Sequence, residues 1–561
     1  MSKLNGTNGV NGYISDNWVP AKDCPLGNPR KLKVLCVGAG YAGLMLSYQY
    51  KHGDQPLDRF MDLKIYEKNA DVGGTWLVNK YPGVACDVPA HIYTFPFEPN
   101  PSWSCFYASG PEIWRYIKKT SDKYELAKPV EFNSELVSST WDDEAGKWRL
   151  EIRQQNGSAL IKDEADILVN ATGFLSKWNW PTIPGLDKFK GKLMHTADWD
   201  TSLDWSGKTV GIIGNGSSAV QLLPQMQRTA AKIVNLVRSP LWASSTFVAE
   251  FTPEGKNFTY TDEEIQTFKD KPEKLLELRK GIESSMNKLF RVLVKDSPEQ
   301  VAAFQLFKDK MEKGLNHDPY LCAKLVPTFE VGCRRLSPGD NYLEAIQKDN
   351  VTLEFDPIKE ITESGITTLS KSHEFDIIVC ATGFEVSFRP GWKVIGKNGA
   401  SLAEQWKDAP EAYLGVMAGN MPNYFTINGP NTPLANGSLI AAMHSTVDYI
   451  ARLIRKISTQ DIKSIQVRQD ALDDYNCYIQ ESLKRTVWTG NCRSWFKNGK
   501  VDGRVTAMYP GSVLHFQEML QDFRTEDFDF EYTAKNRFQF MGNGLTFRET
   551  NDGDLSWYML K

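Results

Sequence analysis

Short apolar runs alternate with helix-period segments along this chain, and twice such a run closes directly into a glycine-rich turn. Lys31-Leu-Lys-Val-Leu-Cys-Val37 has the near-continuous apolar character of a strand buried on both faces. Gly38-Ala-Gly40-Tyr-Ala-Gly43 follows at once, residues 44–50 continue as a helix, and Leu63-Lys-Ile-Tyr-Glu67 predicts the next strand. The order then returns: Thr209-Val-Gly-Ile-Ile213 predicts a strand, Gly214-Asn-Gly216-Ser-Ser-Ala219 a related turn, and residues 233–237 the strand beyond it. A second echo is Asp166-Ile-Leu-Val-Asn-Ala171-Thr-Gly-Phe174 against Asp376-Ile-Ile-Val-Cys-Ala381-Thr-Gly-Phe384, a buried strand ending in a tight glycine turn.

Other segments fill in the outline. Ser109-Gly-Pro-Glu112 predicts a helix start, and residues 130–133 and 148–153 predict a small antiparallel ribbon. Residues 251–325 change to charged, helix-period sequence, with Thr261-Asp-Glu-Glu264 and Ser297-Pro-Glu-Gln300 reading as capping boxes. An amphipathic helix is predicted over 439–457.

Composition narrows the class. A chain of 561 residues is too long for one hydrophobic core, and 41% hydrophobic with 24% charged residues is ordinary for a soluble globular protein. A formal net charge of −4 gives no basic face for nucleic acid. No run of about 18 apolar residues is present to span a membrane. The first 16 residues lack the apolar core of a signal peptide, so the expected location is the cytoplasm. The nine cysteines form no C-x-x-C pair, which argues against a zinc site or a redox dithiol and predicts free thiols in a reducing compartment.

The turns carry the first chemistry. Gly38 permits the tight turn, Gly40 lets a pyrophosphate approach the backbone, and Gly43 lets helix and strand pack closely, with the helix N-terminus facing the phosphates. Glu67, 24 residues after Gly43, would accept hydrogen bonds from ribose hydroxyls and repel a 2′-phosphate, which fits FAD or NAD. In the second unit Gly214, Asn215, Gly216, Ser217 and Ser218 form the turn, and the second strand is followed by Arg238 and Ser239. Arginine in place of the acid predicts a 2′-phosphate, hence NADP(H). Asp87 falls in an aromatic and apolar neighbourhood, so its carboxylate needs a cation or a hydrogen-bond donor. Arg334 and Arg335, paired beside Gly332, are candidate anion ligands.

The predicted fold is α/β, with two Rossmann-like dinucleotide-binding domains and a helical insertion in the second. A flexible N-terminal lead is expected over 1–30, the first part of the FAD domain over 31–175, and a linker over 176–206. The NADP domain is expected over 207–385, with its insertion at about 251–325. Residues 386–561 contain no complete glycine turn of their own and should return to the FAD domain.

The linker reads Phe189-x-Gly191-x-x-x-His195-x-x-x-Trp199-Asp200. Upstream, Gly73-Gly74-x-Trp76-x4-Tyr81-Pro82-Gly83-x3-Asp87 forms a second extended motif. On these two patterns the chain resembles the type I Baeyer–Villiger monooxygenases, from Lys31 to the Tyr509-Pro-Gly-Ser512 stretch. The resemblance implies Arg335 as catalytic arginine, Asp87 as its carboxylate partner, and Arg334 where the family has a lysine beside the 2′-phosphate. It implies flavin contacts at Thr75, Trp76, Leu77, Val78, Asp87, Tyr93 and Leu136. NADP contacts are implied at Ala85, Cys86, Asp87, Asn215, Ser217, Ser218, Arg238, Ser239 and Trp495, and a domain-coupling role at His195. Gly332-Cys-Arg-Arg-Leu-Ser-Pro-Gly339 is similar to fungal members of specialised metabolism.

The implied reaction uses FAD, NADPH and O2 to insert one oxygen atom beside a ketone carbonyl, giving an ester or lactone. A permanent cation favours an anionic oxygen nucleophile and the alkoxide formed by its attack, and arginine keeps its proton at working pH. Two alternatives stay open at this point. A flavin N- or S-monooxygenase needs a protonated, electrophilic oxygen and no adjacent arginine, and an idle FAD-binding redox module predicts bound FAD without substrate-stimulated NADPH use.

Overall fold

The computed structural model describes residues 16–155, 160–244, 248–434 and 437–559; the expected lead falls outside them over residues 1–15. From residue 16 to 30 the chain is docked, which corrects the expectation of a free lead there. The Leu26 backbone N–H donates to the Leu545 carbonyl at 2.7 Å, Lys22 pairs with Asp461 at 2.6 Å, and Arg30 pairs with Asp166 at 3.2 Å.

Two five-stranded parallel sheets frame the molecule. In the first, the spatial order is Tyr424–Thr426, Ile167–Asn170, Leu32–Val37, Met61–Tyr66, Val130–Glu131. In the second it is Val351–Glu354, Lys232–Leu236, Thr209–Ile213, Ile377–Cys380, Lys192–His195. The central strands are buried almost throughout, as helices on both faces of a parallel sheet require. Register brings the repeated motifs together. Val37 pairs with Asn170, so the Gly38 turn lies beside Ala171-Thr172-Gly173. Ile213 and His195 both pair with Cys380, so the Gly214 turn and the end of the linker motif lie beside Ala381-Thr382-Gly383. Ligands of open α/β sheets bind at such carboxyl ends of strands.

Val130–Glu131 joins the parallel sheet beside Met61–Tyr66, and not an antiparallel ribbon with residues 148–153 as predicted. The antiparallel ribbon around residues 148–153 is instead formed by Ser134–Asp142, Lys147–Gln154 and Leu160–Ala165. At two residues, Val130–Glu131 is too short for periodicity to indicate which partner it takes.

The insertion carries helices Asp262–Asp270, Pro272–Lys288, Pro298–Gly314 and Pro319–Leu325. Thr261 and Glu264 form the predicted capping box. At Ser297 only half of a box forms: its hydroxyl accepts from the Gln300 N–H, but the Gln300 side chain turns inward. There it donates to the Val331 carbonyl at 2.9 Å and accepts from the Val331 N–H at 3.1 Å. Burial of this amide fixes the backbone just ahead of Arg334 and Arg335. Tyr260, Ile282 and Met286 of the insertion pack into the core of the first sheet.

Candidate active site

Both glycine turns have the same backbone and the same reason for it. Gly38 and Gly214 each adopt φ +105°. A Cβ would strike the Ala171 carbonyl oxygen at 2.8 Å in the first turn and the Ala381 carbonyl oxygen at 2.6 Å in the second. Glu67, only 5% exposed, reaches back to the first turn. One carboxylate oxygen accepts from the Ala39 N–H at 2.7 Å, and the other from the Asn69 backbone and side-chain amides at 2.8 and 2.6 Å.

The Gly73-Gly74 segment packs onto that turn. Gly73 N–H donates to the Ala39 carbonyl at 3.0 Å, and Thr75–Val78 form one helical turn of which no residue is buried. Trp76 donates to the Tyr93 hydroxyl at 3.3 Å. Trp76, Leu77 and Val78 thus present apolar surface that the protein itself does not fully cover, which suits a flat isoalloxazine ring. Ala85, Cys86 and Asp87 come next in the same stretch. Leu136 lies apart, in a cluster with Val37 and Tyr66.

This stretch also meets the second unit. Gln221, on helix Ser217–Gln227 just after the Gly214 turn, accepts from the Tyr81 hydroxyl at 2.7 Å and donates to the Ala85 carbonyl at 2.9 Å. Tyr81, Val84 and Trp199 all pack into the core of the second sheet. Asp87 stands two residues beyond Ala85 and binds Arg335 in a fork. The guanidinium donates from Nε to one carboxylate oxygen at 2.8 Å and from Nη2 to the other at 2.7 Å. A third N–H, on Nη1, goes to the Leu434 carbonyl at 2.9 Å. Burial alone would lower the Arg335 pKa, but the adjacent Asp87 carboxylate reverses this and holds it above the ordinary arginine value.

At the second turn, Asn215 donates to the Ser239 carbonyl at 2.9 Å and Ser217 shares a hydrogen bond of 2.7 Å with Ser337. Ser218 is half-buried, and at Gly216 nothing lies within 4 Å of where a Cβ would sit, leaving open space over the helix N-terminus. Arg334 donates to the Pro240 carbonyl at 3.0 Å, which puts it beside Arg238 and Ser239. Burial and the neighbouring Arg238 lower the Arg334 pKa. Burial and Arg493 lower that of Arg238. Open space at the turn and cations short of an anion fit a dinucleotide with a 2′-phosphate. Trp495 stacks on Phe174 of the first Ala-Thr-Gly-Phe repeat, at 5.6 Å between ring centroids.

In the linker, His195 stacks on Trp178 at 4.4 Å, accepts at Nδ1 from the Ala197 N–H, and binds Thr382 through Nε2 at 3.2 Å. Burial pushes its pKa down to about 4, so the ring is neutral and its one proton, on Nε2, is donated to Thr382. Asp200 pairs with Lys192 at 2.7 Å.

Sequence reasoning missed Gln221, Ser337, Thr382 and a disulfide between Cys333 and Cys492. The bond corrects the expectation of free thiols for those two cysteines; they are 159 residues apart, too far in sequence for any spacing to pair them. The remaining seven cysteines are free. Among the described residues no cluster could hold a metal ion, and no helix is long and apolar enough to cross a membrane.

Comparison with known proteins bears on this site. Residues 31–258 match the family model described as FMO-like, flavin-binding monooxygenase-like. The chain is 45% identical over 548 residues, 97% of each protein, to the FAD-binding monooxygenase tazF of Aspergillus terreus. It is 32% identical to a Baeyer–Villiger monooxygenase of Pseudomonas aeruginosa, over 88% of this chain and 90% of that one. It is also similar to the structure of an oxidized steroid monooxygenase bound to NADP, with a TM-score of 0.75 at 25% identity, covering 90% of this chain and 100% of that one.

Proposed function

The chain belongs to the flavin-dependent monooxygenases, enzymes with FAD and NADP sites, and from that premise we propose that it is a Baeyer–Villiger enzyme acting on a small-molecule ketone. In balance, ketone, O2, NADPH and one proton give ester or lactone, NADP+ and water. When bound, FAD takes the hydride of NADPH and supplies the electrons that activate dioxygen.

The observation that carries the reading is the Asp87–Arg335 fork. A guanidinium has five N–H groups. Two go to Asp87 and one to Leu434, so five minus three leaves two, one on each terminal nitrogen. Asp87 fixes the plane of the group, and Leu434 fixes its rotation. The two remaining donors are thus aimed before any substrate arrives, and charge developing on an oxygen in front of them meets dipoles that need no rearrangement. Arginine cannot surrender a proton to that oxygen, so the oxygen stays nucleophilic. Asp87 is a positioning residue for Arg335. Gln221 links the same stretch to the coenzyme helix. Arg238, Arg334 and Ser239 would hold the 2′-phosphate, and Thr75–Val78 and Tyr93 the flavin.

The test is ester and hydrogen peroxide formed per NADPH consumed. Arg335→Ala should keep its FAD and still oxidise NADPH, while ester falls by roughly 10²–10³, the cost of one preorganised oxyanion donor, and peroxide takes its place. Asp87→Ala should show the same exchange more mildly. An unchanged ester yield in Arg335→Ala would overturn the assignment.

A further inference from the structure

The Cys333–Cys492 disulfide joins two loops whose Cα atoms stand 6.2 Å apart. Each half-cystine is followed at once by an arginine, Arg334 on one side and Arg493 on the other. Arg334 donates to the Pro240 carbonyl, two residues past Arg238. Arg493 is exposed and donates from Nη1 to the Gly499 carbonyl at 2.8 Å, a bond within its own loop that leaves Nε and Nη2 free of backbone duties. Ser494 caps the short helix Trp495–Lys497, and Trp495 rests on Phe174. The loop is therefore fastened at both ends of its arginine.

The disulfide brings the loops of Arg334 and Arg493 together, and the charge of Arg493 acts on Arg238 as that of Arg238 acts on Arg334. Among the described residues none of the three has an ion-pair partner, although acidic side chains neutralise many other arginines of the chain. Gathering three cations without an anion is unfavourable unless a ligand supplies one. A phosphate monoester brings about −1.5 to −2 charge and three acceptor oxygens.

We infer that Arg493 is a third arginine of the coenzyme 2′-phosphate site, and that the Cys333–Cys492 disulfide holds it there. This rests on the NADP reading of the second glycine turn and deepens it. The site would then be closed by a loop from the C-terminal part, and it would be completed by a covalent bond lying outside the glycine-turn motif itself. Arg238 and Arg334 alone could recognise the phosphate. The third cation raises the discrimination between NADP and NAD, because only the phosphorylated coenzyme has a charge for it to meet.

The test is calorimetric titration of NADP+ and, separately, NAD+ into the FAD-loaded full chain, without ketone or turnover, so the ester chemistry cannot influence it. Arg493→Gln should weaken NADP+ binding roughly tenfold, the loss of one charge-assisted contact, and leave NAD+ unchanged. Arg493→Lys should recover part of the loss. The paired variant Cys333→Ser with Cys492→Ser should weaken NADP+ by a smaller factor. Adding Arg493→Gln to the pair should cost no more than Arg493→Gln alone, because the bond acts through that arginine. An unchanged NADP+ to NAD+ affinity ratio in Arg493→Gln would overturn the proposal. Full NADP+ affinity in the serine pair would overturn the role of the disulfide. If the serine pair fails to fold, the glutamine and lysine variants still decide the role of Arg493.

Discussion

The two glycine turns share a backbone and differ in what stands at the end of the neighbouring strand. Gly38 and Gly214 have the same φ and are compelled by the same carbonyl, that of Ala171 or Ala381. Yet Glu67 is buried and meets three N–H groups of its own unit, whereas Arg238 faces solvent with no ion pair among the described residues. The turn is thus set by packing, which both units solve alike, and coenzyme choice by one side chain. That side chain can be spent inward, stiffening the turn, or left outward for a ligand.

The third position of each turn provides the largest expected effect. A Cβ on Gly43 would lie 2.0 Å from the Gly38 carbonyl oxygen, a backbone atom that cannot swing aside. Ala219 holds the corresponding place in the second turn and is fully buried. Gly43→Ala should cost about 3 kcal/mol or more and strip FAD, read by thermal melting and by flavin absorbance. Ala219→Gly should cost only about 1 kcal/mol, the helix-propensity difference. Similar losses in both would show that the first helix is no closer to its strand than the second.

Glu67→Gln comes next. An amide in place of the carboxylate turns one acceptor into a donor facing N–H groups, so about 2 kcal/mol of stability should go, with FAD content falling in parallel. If Glu67 serves only the ribose, the melting temperature of the apoprotein will not move. Arg238→Ala should do the opposite: unchanged apoprotein melting and FAD content, but an NADPH KM raised roughly tenfold. The NADH KM should stay where it was.

A further effect is confined to acid pH. The His195 pKa is pushed down to about 4 from its ordinary 6.5, so between these values the unfolded chain binds the extra proton. Stability from this group is therefore level above pH 6.5 and falls as pH drops towards 4. His91 is pushed down to about 4 as well, by burial and then by Arg279, and adds to the same window. His195→Gln, which keeps a donor for Thr382, should flatten part of the slope in melting temperature between pH 6.5 and 4. A slope identical to that of the parent chain would remove His195 from the account.

Much of the frame was readable in the sequence because it repeats. Two apolar runs closing into glycine turns, and two Ala-Thr-Gly-Phe endings, leave few folds open. The ends of the sheets were not readable: Val130–Glu131 and Tyr424–Thr426 are two and three residues long, and their partners come from register. Asp87 and Arg335 were legible as a carboxylate needing a cation and an arginine beside a glycine, together with the family pattern. Their fork depends on atoms 248 residues apart in the chain. Gln221 carries no signal at all, since a polar residue on a helix reads as a solvated face. Gln300 was misread for a related reason: the capping pattern is local, and burial against Val331 is not.

The order of strands also sets an order of events on the ribosome. All five strands of the second sheet have been synthesised once Cys380 emerges. The first sheet begins at Leu32 but lacks an outer strand until Thr426, so Ile167–Asn170, buried along its whole length in the finished protein, has an unpaired edge for some 250 residues of elongation. Non-local pairings of this kind form slowly, and exposed edges invite association with other chains. The second sheet therefore completes before the first. A nascent chain stalled between Cys380 and Tyr424 would present a second sheet with all its strands, tethered to a first sheet still lacking its outer one.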